Sequence, residues 1–249
     1  MVSVIGSVSQ RGTTEPFPLQ VSRGQVAFHE PLFKYGYNPL IVNVDEAIWD
    51  VGGSYTWITT AAPLVATSAS GATDAGVTGI VFGLDANYNE ISEAFTLNGS
   101  GVYTTSASFY RVNRAYITGS TAPAGNIDFT IGATTYARIT AGENQTLMAI
   151  YTVPAKKTLY ITRGIATHGS DLSGAFMTVR LRVRTQGSVF RTGVKVDIIN
   201  NEIIFPFDQP LKVTEKSDIM VTGICSKNQN NALAASWDGI LITEGGTLG

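Results

Sequence analysis

The chain has 249 residues, 44% of them hydrophobic and 14% charged, with a formal net charge of −2 at pH 7. That length holds one large β domain or two domains of roughly 100 to 130 residues; the apolar fraction excludes global disorder, and the charge gives no electrostatic reason to expect nucleic acid. A charged fraction so far below the roughly 25% of average globular proteins implies a surface of Ser, Thr, Asn, Gln and Gly, or one covered by partners, and both fit a protein that lives in an assembly.

Residues 1–37 combine Pro16, Pro18 and Pro31 with Phe17, Leu19, Phe28, Phe33, Tyr35 and Tyr37. Such a stretch cannot form a core alone and is too aromatic for an inert linker. It reads as an extended N-terminal arm that packs on its own domain or on a neighbouring subunit. The opening "MVSVIGSVSQ" has a short apolar run without a basic region ahead of it, unlike a secretion signal. Asn144-Gln145-Thr146 is therefore read as a chance glycosylation sequon. No segment reaches the roughly 18 apolar residues of a membrane-spanning helix, so no membrane is expected among the partners.

Helical periodicity is almost absent along the chain. Alternating and β-branched runs recur, punctuated by Gly, Asn, Asp and Pro, the pattern of an all-β sandwich or barrel. Residues 38–135 are expected to form a first β-sandwich, with strands such as "PLIVNV", "SYTWITT" and "VTGIVFGL" and an exposed loop at Thr67–Gly76. Residues 136–249 are expected to form a second, jelly-roll-like sandwich, from "TLMAIYTV" to "LAASWDGILIT".

Within the first unit, "GLDANYNEISEAFTLNG" sets Asp85, Asn87 and Asn89 at alternate positions before Glu90. A calcium loop needs Gly at the sixth position and Glu at the twelfth; here these are Glu90 and Thr96. Two strand-like runs bracket the segment, and Asn and Asp suit tight turns, so it reads as a hairpin. Glu90 and Glu93, three residues apart on a strand, face opposite sides and cannot flank one glycosidic bond.

The remaining chemistry-bearing residues are sparse. His29 lies in the arm; His168, Ser170 and Asp171 are neighbours in "ATHGSDLSGA", but triads are built in space and no nucleophile elbow is present. Asp197, Glu202, Asp208, Glu215, Asp218 and Asp238 are scattered over strand ends and turns. Cys225, the single cysteine, forms no intrachain disulfide and no Cys-based zinc site. Trp49, Trp57 and Trp237 define no stacking stripe. In "MTVRLRVRTQ", Met177, Val179, Leu181 and Val183 share one face and Arg180, Arg182 and Arg184 the other. That arginine face suits solvent, a subunit contact or, least well, nucleic acid. No catalytic, cofactor-binding or metal-ligating residues are expected, and the chain is read as not an enzyme.

Taken in order, "PFPLQVSRGQV", "YGYNP", "EAIWDVGGSYTW", "GLDANYNEISEAFTLNG", "SFYRVNRAYIT", "NQTLMAIYTVPAKKTLYIT" and "PFDQPLKVTEKSDIMV" resemble virion structural proteins of tailed bacteriophages, especially those of marine and cyanobacterial hosts. "TVPAKKTLYIT" and "PLKVTEKSDIMVTGI" also look like jelly-roll strands of phage decoration and fibre-tip domains. The resemblance implies a non-enzymatic capsid decoration or cement protein, a homotrimer contacting the major capsid protein, located in the virion and assembled in the host cytoplasm. A tail-associated component (adaptor ring, fibre base or receptor-binding tip) is the alternative, with a carbohydrate-binding module behind it.

Overall fold

A computed structural model describes residues 9–10, 13–169, 176–199, 201–227 and 231–245, with side chains from Glu15 onward. In chain order it has β1 (Ser9–Gln10), β2 (Thr13–Thr14), α1 (Phe17–Ser22), β3 (His29–Ile41), β4 (Glu46–Ala47), β5 (Ala62–Ser68) and β6 (Thr78–Leu84). There follow β7 (Glu90–Thr96), β8 (Val102–Phe109), β9 (Arg111–Ile117), β10 (Ile127–Ile131), β11 (Thr134–Ile139) and β12 (Ile150–Thr152). The chain closes with β13 (Lys157–His168), β14 (Met177–Thr185), β15 (Arg191–Ile198), β16 (Glu202–Val213), β17 (Ser217–Cys225) and β18 (Asn231–Thr243). The protein is all-β, built as two antiparallel sandwiches.

The smaller sandwich faces a sheet of order β11-β10-β5-β8 against one of order β7-β6-β9. Leu64, Val81, Phe95, Phe109, Ile127 and Phe129 fill the space between them. The larger sandwich pairs β16-β13-β18-β3 with β12-β17-β14-β15, β4 adding to β17. Counting β4 and β12 as two pieces of one interrupted strand, its eight strands run 1-8-3-6 in one sheet and 2-7-4-5 in the other, which is the jelly-roll order. Ile41, Leu159, Ile161, Met177, Ile219, Leu233 and Trp237 form its core.

This connectivity redraws the expected boundaries at 37/38 and 135/136. Residues 29–37 are not part of an arm: they belong to β3, paired with β18 from His29↔Ile242 to Ile41↔Asn231. Pro31 and Pro39 lie inside this strand, which is possible because β3 is at a sheet edge, where a missing N–H breaks no ladder. The chain thus opens the jelly roll with β3 and β4, leaves to build the smaller sandwich from β5 to β11, and returns at β12. Ile139, the last residue of β11, also lies past the expected end of the first unit. Gly36 shows how closely the two layers meet. A Cβ there would stand 2.3 Å from the backbone nitrogen of Ala149 and 2.4 Å from the carbonyl oxygen of Ile48, so "YGY" admits no larger residue.

Ahead of β3, "PFPLQ" forms a helical turn instead of extended chain. Pro16 stands at its N-cap with a second proline in the first turn, where a missing N–H costs nothing and the fixed φ suits a helix. Val21 is buried, while Phe17 and Leu19 are exposed.

Candidate functional site

The most concentrated chemistry is the junction between the sandwiches. Arg111 on β9 donates from Nε to Asp218 Oδ1 at 2.8 Å and from an Nη to Oδ2 at 3.1 Å, crossing from the small unit to the jelly roll. Its other Nη donates to the carbonyls of Ile58 (2.9 Å) and Tyr110 (2.7 Å). The guanidinium also lies 4.2 Å from the Tyr110 ring centroid and 5.2 Å from that of Trp57, geometry in which the cation is attracted to the ring face. Asp218 further accepts from Arg184 at 2.5 Å and from Thr152 Oγ1 at 2.7 Å. The Arg111 and Asp218 side chains are 6% and 4% exposed. A carboxylate so fully engaged by donors has no lone pair left for base or nucleophile chemistry; it is a clamp.

Further bonds extend the junction. Asn113 donates to the Thr152 carbonyl (3.2 Å) and accepts from its N–H (2.9 Å). Lys34 donates to the Asn113 carbonyl at 2.5 Å. Burial, with Arg114 adding repulsion, lowers the Lys34 amine to about 7. At the same junction, Glu90 pairs with Lys157 at 2.7 Å and the Ala155 N–H donates to the Tyr88 carbonyl. On its other side, Asp50 accepts from the Leu147 N–H; burial raises its carboxyl to about 7, with Glu143 adding to the rise and that hydrogen bond opposing it.

The 85–90 segment is a hairpin loop joining β6 to β7. Asp85 accepts from the N–H groups of Asn87 (2.8 Å) and Asn89 (2.9 Å) and from the Asn89 amide (3.0 Å). Partial burial would raise its carboxyl, yet these donors outweigh it and hold the group below the usual carboxylate range. Tyr88 takes the positive φ and docks the loop on the jelly roll. Glu93 points away, held by Tyr103, Ser106 and Ala107.

The arginine stripe is occupied internally: Arg180 and Arg182 pair with Asp45 at 2.7 and 2.6 Å, and Arg184 with Asp218. His29 bonds the Ala27 carbonyl through Nδ1. His168 is buried in the jelly roll, with no hydrogen-bond partner for either ring nitrogen among the described residues, and Ser170 and Asp171 lie outside the described residues. The six scattered carboxylates do not converge: Asp238 pairs with Arg163 and Glu215 caps the Lys156 N–H, while Asp197 bonds Thr178 and Glu202 and Asp208 are exposed on β16. Cys225 is buried, its Sγ receiving the Asn231 amide. Trp49 and Trp237 are core residues, and Trp57 serves the clamp. Among the described residues no His, Cys, Asp and Glu group could hold a metal ion, and no helix is long and apolar enough to cross a membrane.

A second feature is the outer face of the β16-β13-β18-β3 sheet. Its register places Tyr35, Ser236, Ile165 and Ile204 in one row, Phe33, Asp238, Arg163 and Pro206 in the next, and Pro31, Ile240, Tyr160 and Lys212 in a third. Phe33 is 64% exposed and Ile204 54%. Over this face lies a cleft of about 850 Å³ reaching Val21 on α1 and Arg114 on the small unit. Sequence reasoning missed both features. Arg111 and Asp218 are separated by 107 residues, and their pairing leaves no local mark. The alternation Phe33-Tyr35-Tyr37 was visible, but the prolines around it masked the strand.

The chain is therefore a jelly roll interrupted by an inserted β-sandwich and clamped to it by buried charge. No family model and no curated protein matches it. Among solved structures it is similar to those of infectious bursal disease virus, Gx strain, at 12% identity and a TM-score of 0.30, covering 88% of this chain and 73% of that one. The Gt strain gives 10% identity and 0.26, covering 87% and 72%, and the VP2 subviral particle of that virus 10% and 0.22, covering 87% and 72%. These likenesses are loose, and the fold stands on the strand pairing of the chain itself.

Proposed function

We propose that the protein is a non-enzymatic structural component of a virus particle, specifically a decoration or cement protein on the head of a tailed phage. The observation that carries this reading is the apolar outer face on β3, β18, β13 and β16. An antiparallel sheet facing water carries polar residues on that side, and a contiguous apolar patch marks an interaction site. Two features support it. The buried charged side chains Lys34, Glu46, Asp74, Arg111 and Asp218 each hold a structural partner. The jelly roll is also a fold of viral capsid domains, shared with lectins, which supports the reading by analogy alone. The phage-like phrases of the sequence point the same way.

Gold-antibody labelling of intact virions, with copy number from gel densitometry, tests it. Dense label over the head is the expected result. Sparse label confined to the tail would move the protein to the adaptor or fibre class, and an unlabelled particle would end the virion reading.

A further inference from the structure

The outer face of the jelly roll also carries information about what covers it. We infer that it docks a second copy of this same chain, an inference that rests on the building-block reading above and names the partner for its apolar face.

Size is the first argument. Four strands at about 4.8 Å spacing, followed over the stretch 29–37 at about 3.3 Å per residue, span roughly 20 by 30 Å, or about 600 Å² in projection. A stable interface takes about 800 Å² from each partner, so this face supplies most of one. Phe17 extends it beyond the His29 end, its ring edge-on to His29 with centroids 5.9 Å apart.

Charge is the second argument. Asp238 and Arg163 at the centre of the face neutralise each other at 2.6 Å. Around them stand two further acids, Glu202 and the exposed Asp208 on β16, and two further bases, Lys212 on β16 and Arg114 at the rim of the cleft. Face and rim together therefore carry no net charge. Nucleic acid or an anionic membrane would find no excess of cations there. A second copy of the same face meets apolar rows and no excess charge of its own sign. Tyr, Phe and Arg at its centre are the side chains enriched where interfaces are buried.

Relief is the third. The cleft over Phe33, Tyr35, Asp238 and Pro206, bounded by α1 and by Arg114, gives the face a concavity that a protruding element of another subunit can fill.

Sedimentation of the full-length protein over a concentration series tests the assignment, with Phe33→Glu and Ile204→Glu as face variants and Thr104→Glu, on an exposed position of β8, as a control adding the same charge. The wild type is expected to self-associate, both face variants to do so roughly tenfold more weakly or worse, and the control to match the wild type. Circular dichroism melts establish that the variants are folded. Should a variant unfold, hydrogen exchange of wild-type β3 and β18 at low and high concentration gives the same answer, since their solvent-side protection must rise with association. Self-association that survives both face variants overturns this face as the contact and leaves the building-block reading standing. A wild type that stays monomeric, with the face protected only on adding particles stripped of this protein or a soluble glycan, overturns the second copy as its occupant.

Discussion

Arg111 is the residue on which the junction turns. Breaking a buried ion pair from one side leaves a stranded charge and costs about 3 to 5 kcal/mol, so Arg111→Leu is expected to lose stability in that range by urea denaturation, tempered by the Arg184 contact that Asp218 keeps. Asp85→Ala should cost only about 0.5 to 2 kcal/mol, and its melting temperature should be indifferent to calcium; a calcium-dependent wild-type melt lost in the variant would contradict the hairpin assignment. Lys34 gives a pH signature. Its amine falls from the usual 10.5 to about 7 in the fold, so the folded protein holds fewer protons than the unfolded chain between those values. The destabilisation from burying the charge is full below pH 7 and fades as pH rises toward 10.5. Lys34→Met should therefore show its largest stability gain over the wild type at and below neutral pH, with the gap narrowing toward pH 10. The Asp85 loop was legible because its hydrogen bonds are local and follow turn chemistry. Arg111 and Asp218 were not, because side chains on β9 and β17 meet only once both sandwiches are in place.

Among the elements, β3 carries the clearest consequence. As the edge strand of the 1-8-3-6 sheet it covers Leu233 and Trp237 through its pairing with β18. A chain starting at Glu15 keeps every strand of both sandwiches and should retain the wild-type far-ultraviolet dichroism and melt. A chain starting at Asn38 loses most of β3 and should lose cooperative unfolding of the jelly roll. Had 1–37 been a dispensable arm, the two truncations would behave alike. Strand existence was readable in the later chain because β18 alternates cleanly between buried and half-buried positions, β14 alternates apolar and polar side chains in sequence, and β17 is a short run of mostly buried residues rich in β-branched side chains. The prolines misled the reading at both ends of the same region: in α1, where they open a helical turn, and in β3, where an edge position tolerates them.

At the scale of the whole molecule, an insertion between two pieces of one strand has no signature in hydrophobic pattern, since each segment reads as an ordinary strand and only the pairing reveals which partner it takes. The all-β class was legible, and the order of the two units along the chain was not. The resulting block, joined across its two sandwiches at Asp218 and apolar on one outer face, has a surface suited to packing against others. We propose that the surface it packs against is that of a virus particle. The most direct measurement is mass-spectrometric quantification of this chain across a density gradient of purified virions. The chain is expected to peak with intact particles at a constant, high ratio to the major capsid protein; a chain that stays at the top of the gradient, absent from particles that are otherwise complete, would contradict a role in the particle.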